Sequence, residues 1–388
     1  MKIAVVTVYD GLNYGSYLQA FAMQSCLEAL GHEVVFVQRM TEEENLALFT
    51  TNRPQEACDP LRRLWRFIRK KTVLRKQIEK ENQYYRRQFP LYQKAWERFT
   101  LVSPEQLDDV DCIVCGSDEI WNPANPNIDV PFYTCADFGH DIPKVAVSVS
   151  IGNAQTTDFA DCPEAVSALK EFSAILVRDR RSQEIIGDLT GCAAKITCDP
   201  TLLVDRELFR NAAEIPAIEG AYMLVYTYGL TEEESRVIQH FAREHQYRIV
   251  SACMDIPIAD QVVNASPLAF AGLVSGAACC VTTTFHGTVF SLLFAKRFCS
   301  IARYPKIEEL LSETDAREHL WDSMLPDDFE KCVEPEVDQA ALSGRLQRMR
   351  KESLAQIDRA LAGCERHSEG GASLKRGGNN EESVWQFS

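Results

Sequence analysis

Short apolar runs that end in turn chemistry and give way to a helical pattern recur along this chain, and no other feature narrows its fold as far. Ile3 to Val8 leads into Asp10-Gly11-Leu12-Asn13-Tyr14-Gly15, a helix follows from Ser16, and Val34 to Val37 returns as a second strand. Ser16 with Gln19 makes a capping box, apolar residues recur at Leu18, Phe21, Ala22, Leu27 and Leu30, and Gly31 stands where a helix stop is expected. Further strand-like runs lie at Cys112–Cys115, Val145–Ser150, Ala174–Val177 and Lys195–Cys198. Strands buried on both faces read as continuous apolar runs and need crossover helices, so the pattern predicts a parallel sheet covered by helices. The series restarts near Gly220. Tyr222 to Tyr228 is a strand, Thr231 with Glu234 opens a helix to about His245, and Tyr247 to Ala252 is a strand again. Ser266-Pro267 starts the next helix, Ala277 to Thr282 is a strand, Phe285 to Ala295 a helix and Arg297 to Ala302 a strand. We therefore expect an α/β chain of two Rossmann-like domains that meet near Asp205 to Ile218.

Length agrees, because 388 residues exceed the ~250–300 that one core usually organises. The boundaries we assign are 1–205, with a helical insertion at about 50–100, then 206–336, a C-terminal helix over 337–364, and a Gly-, Ser- and Asn-rich disordered tail over 365–388. The insertion has its own composition: residues 61–98 hold thirteen basic residues against three acids, in a chain of net charge −15. Leu61, Leu64, Trp65 and Ile68 recur at helical spacing there. A solvated helical hairpin is the first reading, and peripheral contact with an anionic membrane surface or a phosphate-bearing acceptor the second. The overall charge has the wrong sign for coating nucleic acid. Cys112 and Cys115 form a CxxC inside an apolar run, and no second CxxC completes a zinc site, so we expect buried inert thiols and no metal. The chain opens on an apolar strand rather than a secretory leader, and its richest apolar stretch, Leu268 to Phe298, carries Ser, Thr and His throughout. We expect a cytoplasmic protein, with the inner face of the membrane as a second location.

Open α/β sheets place ligands beyond the carboxyl ends of their strands, and four runs fall there. The first is the loop through Asn13, Tyr14, Gly15 and Ser16. It lacks GxGxxG, which disfavours a dinucleotide, but its glycines feed a helix N-terminus suited to an anion or a sugar hydroxyl. A tight strand-to-helix turn needs the same glycines. The second is Gly116-Ser117-Asp118-Glu119-Ile120-Trp121-Asn122. Ser117, Asp118 and Asn122 offer hydroxyl, carboxylate and amide, and Trp121 a face for a sugar. The structural alternative has Asp118 capping the next helix and Trp121 filling a domain seam. The third is Thr284-Phe285-His286-Gly287-Thr288, which puts a histidine at a helix start straight after a buried strand, where it can donate a proton to an anionic substrate. The fourth is Val177-Arg178-Asp179 with Asp199-Pro200-Thr201: Arg178 is the natural clamp for a carboxylate or phosphate, pairing with Asp179 or Asp199 is its structural alternative, and Asp199 before a proline is expected to shape a turn.

Taken together, Asn13-Tyr14-Gly15-Ser16 with Leu18-Gln19-Ala20, Gly116-Ser117-Asp118 with Ile120-Trp121-Asn122, Val147-Ser148 with Ile151-Gly152, Val177-Arg178-Asp179, Asp199-Pro200-Thr201 and Phe285-His286-Gly287 resemble the polysaccharide pyruvyl transferase family over about residues 1–305. The resemblance implies a GT-B-like pair of Rossmann domains. It also implies transfer of a pyruvyl group from phosphoenolpyruvate to two hydroxyls of a glycan or lipid-linked glycan, forming a cyclic ketal in surface or exopolysaccharide biosynthesis, with no cofactor. Against that chemistry His286 is expected as acid or phosphate ligand, Arg178 as anion clamp and Asp118 as base or acceptor contact. Asn13, Tyr14, Gly15, Ser16, Ser117, Trp121, Asn122, Thr284, Gly287 and Thr288 are expected to line the substrates, and the amides of the helix after His286 to complete the phosphate pocket. Family members often carry Arg two positions before the histidine, where this chain has Thr284. That departure leaves open a different donor, or compensation by Arg297, Arg303 or the basic insertion. Two other functions stand beside this one: a glycosyltransferase using a nucleotide sugar on the same scaffold, and an inert glycan-binding member.

Overall fold

The computed structural model describes residues 1–41, 44, 74–212, 217–303 and 305–370. Residues 61–73 of the basic segment, and the tail beyond 370, lie outside the described residues.

The apolar runs become two all-parallel sheets. In the first, β1 (Lys2–Val6), β2 (Glu33–Val37), β3 (Leu101–Val102), β4 (Cys112–Cys115), β5 (Lys144–Val149), β6 (Ala174–Val177) and β7 (Lys195–Ile196) take the order β3-β2-β1-β4-β5-β6-β7. In the second, β8 (Tyr222–Tyr226), β9 (Arg248–Ala252), β10 (Gln261–Val263), β11 (Cys279–Thr282), β12 (Arg297–Ile301) and β13 (Leu320–Trp321) take the order β10-β9-β8-β11-β12-β13. Each is Rossmann-like, with strand order reversing between β1 and β4 and between β8 and β11. A crevice opens at such a point, beyond the carboxyl ends of the two strands. This is the α/β, two-Rossmann, GT-B-like architecture expected from the sequence.

The helices that matter to the crevice are α1 (Tyr14–Ala29), α2 (Leu74–Trp96), α3 (Arg180–Thr190), α4 (Pro200–Leu203), α5 (Glu232–Glu244), α6 (Pro267–Gly276), α7 (Phe285–Leu293), α8 (Pro305–Glu313) and α9 (Gln339–Gly370). Helix α1 starts two residues earlier than its Ser16–Gln19 pattern predicts. Asn13 caps it, its side-chain oxygen accepting from the amides of Gly15 and Ser16, while Gln19 turns inward to join the β1 and β4 loops. The boxes further on form as read: Thr231 and Glu234 cap α5 reciprocally, and Ser266 accepts from Ala269 N ahead of Pro267.

Packing joins the two halves. Tyr14 and Phe21 of α1 share one buried cluster with Phe209, Phe270 of α6 and Phe290 of α7, and Tyr14 stacks on Phe270 at 4.4 Å between ring centroids. Helix α2, the described part of the insertion, lays Phe89, Tyr92 and Trp96 into the same cluster, and Gln88 donates to Asn264 across the seam at 3.1 Å. Separate clusters fill the far face of each sheet. Helix α9 returns from the second sheet to the first: Ser353 Oγ accepts from Cys198 N, and Arg350 and Gln356 donate to the carbonyls of Leu202 and Ile196. It runs to Gly370, so residues 365–370, assigned to the tail, are helical. Among the described residues no helix is long and apolar enough to cross a membrane.

Candidate active site

Four strand ends converge on one buried charge cluster. Asp199 Oδ2 accepts from Arg178 Nη1 at 2.8 Å and lies 3.6 Å from His286 Nε2. Its Oδ1 accepts from Thr201 N and Thr201 Oγ1, which caps α4 and fixes the carboxylate. Arg178 and His286 are each only 8% exposed. Arg178 Nη2 and His286 Nε2 have no hydrogen-bond partner within the protein. The pairing of Arg178 with Asp199 is thus made, yet it uses only one arm of the guanidinium. Phe285 covers the group from above, 4.7 Å from the guanidinium carbon.

The fourth charge, Asp118, follows β4. It does not cap a helix. It sits at φ 72°, a left-handed conformation that Asp tolerates better than most residues, and forms a bridge with Val149. Asp118 Oδ2 accepts from Ser16 Oγ at 3.1 Å, and Oδ1 lies 3.9 Å from Arg178 Nη2. Burial works against this carboxylate, but Arg178, His286 and Lys306 outweigh it and hold its carboxyl below the usual range. For Asp199 burial is again outweighed, by His286, Arg178 and the Thr201 hydroxyl, and its carboxyl is held well below that range. Burial opposes the Arg178 charge too, and Asp199 and Asp118 raise its pKa in spite of it.

Around His286 the backbone is close. A β-carbon on Gly15 would overlap the imidazole, and one on Gly287 would overlap the hydroxyls of Thr282 and Thr284. Thr284 is the N-cap of α7, accepting from Gly287 N at 3.0 Å, and the Thr288 amide bonds the Thr284 carbonyl. The amides of Gly287 and Thr288, expected to complete a phosphate pocket, are therefore already used, as are those of Gly15 and Ser16 at α1. Thr288 is fully buried, its hydroxyl between Thr284 O and Ser300 Oγ.

Several residues expected to line the substrates are internal. Trp121 is fully buried, donating to Tyr133 O and packing edge-on against Phe172, so it offers no face to a sugar and fills the outer core of the first half rather than a domain seam. Ser117 donates to Ser148 O and Asn122 to Glu119 and Asn153, both inside the loop that carries Asp118. Tyr14 donates to Ala265 O and contacts the Cys253 thiol, within the seam. Neither arginine expected to compensate for Thr284 reaches the cleft: Arg297 pairs with Glu336, and Arg303 grips Glu234 with two contacts of 2.6 Å. The cation that does reach it is Lys306 of α8, which pairs with Glu119 of the first half and lies 5.6 Å from the Phe285 ring. Lys306, Glu119 and Asp199 were not assigned to the site from sequence. Lys306 carries no local signal, whereas Asp199 follows β7, the strand after the one that places Arg178. Arg178, Asp199, Phe285, Lys306 and Glu309 line a small cleft of about 30 Å³.

A family model for polysaccharide pyruvyl transferase matches residues 13–304. The chain belongs to the polysaccharide pyruvyl transferase family. Every residue of the charge cluster lies inside the matched span, and Lys306 stands two positions beyond it. No curated protein matches the sequence. Among solved structures the chain is similar to UDP-GlcNAc 2-epimerase from Neisseria meningitidis bound to UDP-GlcNAc, at 11% identity over 92% of this chain and 100% of that one, with a TM-score of 0.46. It is also similar to UDP-GlcNAc 2-epimerase from Methanocaldococcus jannaschii, at 10% identity over 87% and 93% with a TM-score of 0.47. A glycosyltransferase from Streptomyces complexed with thymidine diphosphate shares 15% identity over 92% and 96%, with a TM-score of 0.39.

Proposed function

We propose that this family member transfers the pyruvyl group of phosphoenolpyruvate to two hydroxyls of a glycan, releasing phosphate and leaving a cyclic ketal. The observation that carries this reading is the pair of buried nitrogens, Arg178 Nη2 and His286 Nε2, which make no hydrogen bond within the protein and have only the carboxylates of Asp118 and Asp199 beside them, at 3.9 and 3.6 Å. Buried donors whose hydrogen bonds are not made are costly, and a ligand that supplies acceptors relieves that cost. Phosphoenolpyruvate supplies a carboxylate and a phosphate.

In the reaction, His286 delivers a proton to the methylene carbon, and C2 becomes an oxocarbenium-like centre. One glycan hydroxyl attacks C2, the bond from C2 to the phosphate oxygen breaks, and the second hydroxyl closes the ring. Two hydroxyl protons are lost and one is gained by the methyl group, so the other leaves with phosphate. Asp118, whose carboxylate accepts from Ser16, serves in this reading as the base toward the acceptor. Arg178 Nη2 binds the donor carboxylate or phosphate as a charge-assisted contact.

Calorimetric titration tests the donor. Saturable binding of phosphoenolpyruvate, and none of a UDP-sugar panel, is expected for the wild type. His286→Ala should weaken the binding and lose phosphate release in the presence of acceptor. Binding of a nucleotide sugar without phosphoenolpyruvate would overturn the reading in favour of glycosyl transfer.

A further inference from the structure

With Trp121 buried, a sugar held beside the first turn of α1 needs another apolar face, and Tyr228 offers one. It stands just past β8, at the point where the second sheet reverses, and is 58% exposed. The other large apolar residues of comparable exposure among those described, Leu101, Met324 and Leu325, lie at β3 and just after β13, the outer edges of the sheets. Tyr228 is not a loose side chain on a mobile tip. Its loop is pinned by Thr227, whose hydroxyl donates to Gly229 O, accepts from Gly229 N and lies 2.9 Å from the Thr283 hydroxyl. Across the seam Asn13 Nδ2 donates to the Tyr228 hydroxyl at 2.8 Å.

That bond places the ring next to a row of polar groups on the first turn of α1. Asn13 caps the helix, Gly15 touches His286, and Ser16 donates to Asp118. An aromatic face beside an amide, a hydroxyl and a carboxylate is the chemistry of a carbohydrate site: the ring takes the C–H face of a pyranose and the polar groups take its hydroxyls. We propose that Tyr228 is the platform for the acceptor sugar, stacking one face of a pyranose so that two of its hydroxyls turn toward Asp118 and His286. This assignment rests on the pyruvyl-transfer reading for the identity of the second substrate, and on exposure and geometry for the position of the sugar.

The test is saturation-transfer NMR with the methyl glycosides of galactose, glucose and mannose, with and without phosphoenolpyruvate, on wild type, Tyr228→Phe and Tyr228→Ala. Phosphoenolpyruvate affinity is measured on each by calorimetry. Transfer to the ring protons of at least one sugar is expected in the wild type, kept in Tyr228→Phe and weakened at least about fivefold in Tyr228→Ala. Donor affinity should be equal in all three. Undiminished transfer in Tyr228→Ala overturns the platform, as does loss in Tyr228→Phe as great as in Tyr228→Ala, which would assign the effect to the Asn13 bond. Absence of transfer to every sugar in the wild type overturns it as well. If sugar binding behaves as expected and phosphoenolpyruvate fails to bind, the platform stands and the donor reading falls. If the donor binds and Tyr228→Ala holds sugar normally, the reverse holds.

Discussion

Gly15 of the first half lies flat against the His286 imidazole of the second, with no room between them for a methyl group. The contact sets how closely α1 approaches α7, and so where the histidine stands relative to Asp118.

Gly15→Ala therefore weighs two opposed effects. Alanine in a helix gains about 1 kcal/mol over glycine. Overpacking costs about 1–3 kcal/mol, and here it is relieved by moving His286 or by parting the halves. Displacement should win at the site while each half stays folded. We expect phosphate release to fall at least about tenfold with thermal stability nearly unchanged, read by a coupled phosphate assay and calorimetry. Normal turnover would show that His286 is not positioned by this contact.

The Asp199 carboxyl is held low when folded and titrates near ~3.9 when unfolded. Such a group stabilises the fold above the unfolded value and loses its contribution as pH falls toward the folded one. Asp199→Asn also strips a buried guanidinium of its counter-charge, which costs about 3 kcal/mol or more. The gap between wild type and variant in urea midpoints should be widest near neutral pH and narrow below about pH 4. A gap that does not change with pH would mean that Asp199 is not ionised in the fold.

Much of this arrangement is legible in the sequence, for a physical reason. A parallel strand buried on both faces is an apolar run, and its carboxyl end is where the run stops, so Asp118, Arg178 and His286 can each be placed at a carboxyl end, the first two in one sheet and His286 in the other, without knowing strand order. What such reading misses is decided by tertiary contact. Trp121 follows a strand end as a ligand residue would, but the chain turns it under the sheet onto Phe172. The strands at Leu101–Val102 and Leu320–Trp321 are two residues long and exist only because a neighbour pairs with them. Lys306 enters the cleft through the packing of α8 against α7 and the first half, which no local pattern announces. Asp before proline signals a turn former, and Asp199 is one, capping α4; its second oxygen holds Arg178, and one carboxylate can do both.

Lys306 shares the cleft with Arg178 and pairs across the seam with Glu119, both partners about three-quarters buried. About a quarter of each side chain still meets water, and the cost of desolvating the rest offsets much of the attraction, so the pair contributes about 1 kcal/mol net to stability. A charge-assisted contact from lysine to a bound phosphate is worth more, about 1.5–3 kcal/mol. Lys306→Ala should therefore weaken phosphoenolpyruvate binding about tenfold or more with little change in melting temperature. Glu119→Gln releases the lysine and should leave affinity equal or higher. Unchanged donor affinity in Lys306→Ala would remove it from the site.

Arg303 gives the complementary case. Its guanidinium grips both oxygens of Glu234, whose side chain is fully buried and also closes the capping box of α5 with Thr231. Burial opposes the Glu234 charge, but the Thr231 amide and Arg303 hold its carboxyl below the usual range. Removing the arginine leaves a buried carboxylate with its capping contacts and Ser323 alone, a loss of about 1–3 kcal/mol. Arg303→Ala should lower the urea midpoint accordingly, and the deficit should shrink at acid pH as Glu234 is protonated. Phosphoenolpyruvate affinity should match the wild type once the protein is folded, because both contacts point away from the Arg178 cleft. A Tm unchanged together with weakened donor binding would reverse the assignment and return Arg303 to the role that Thr284 leaves open.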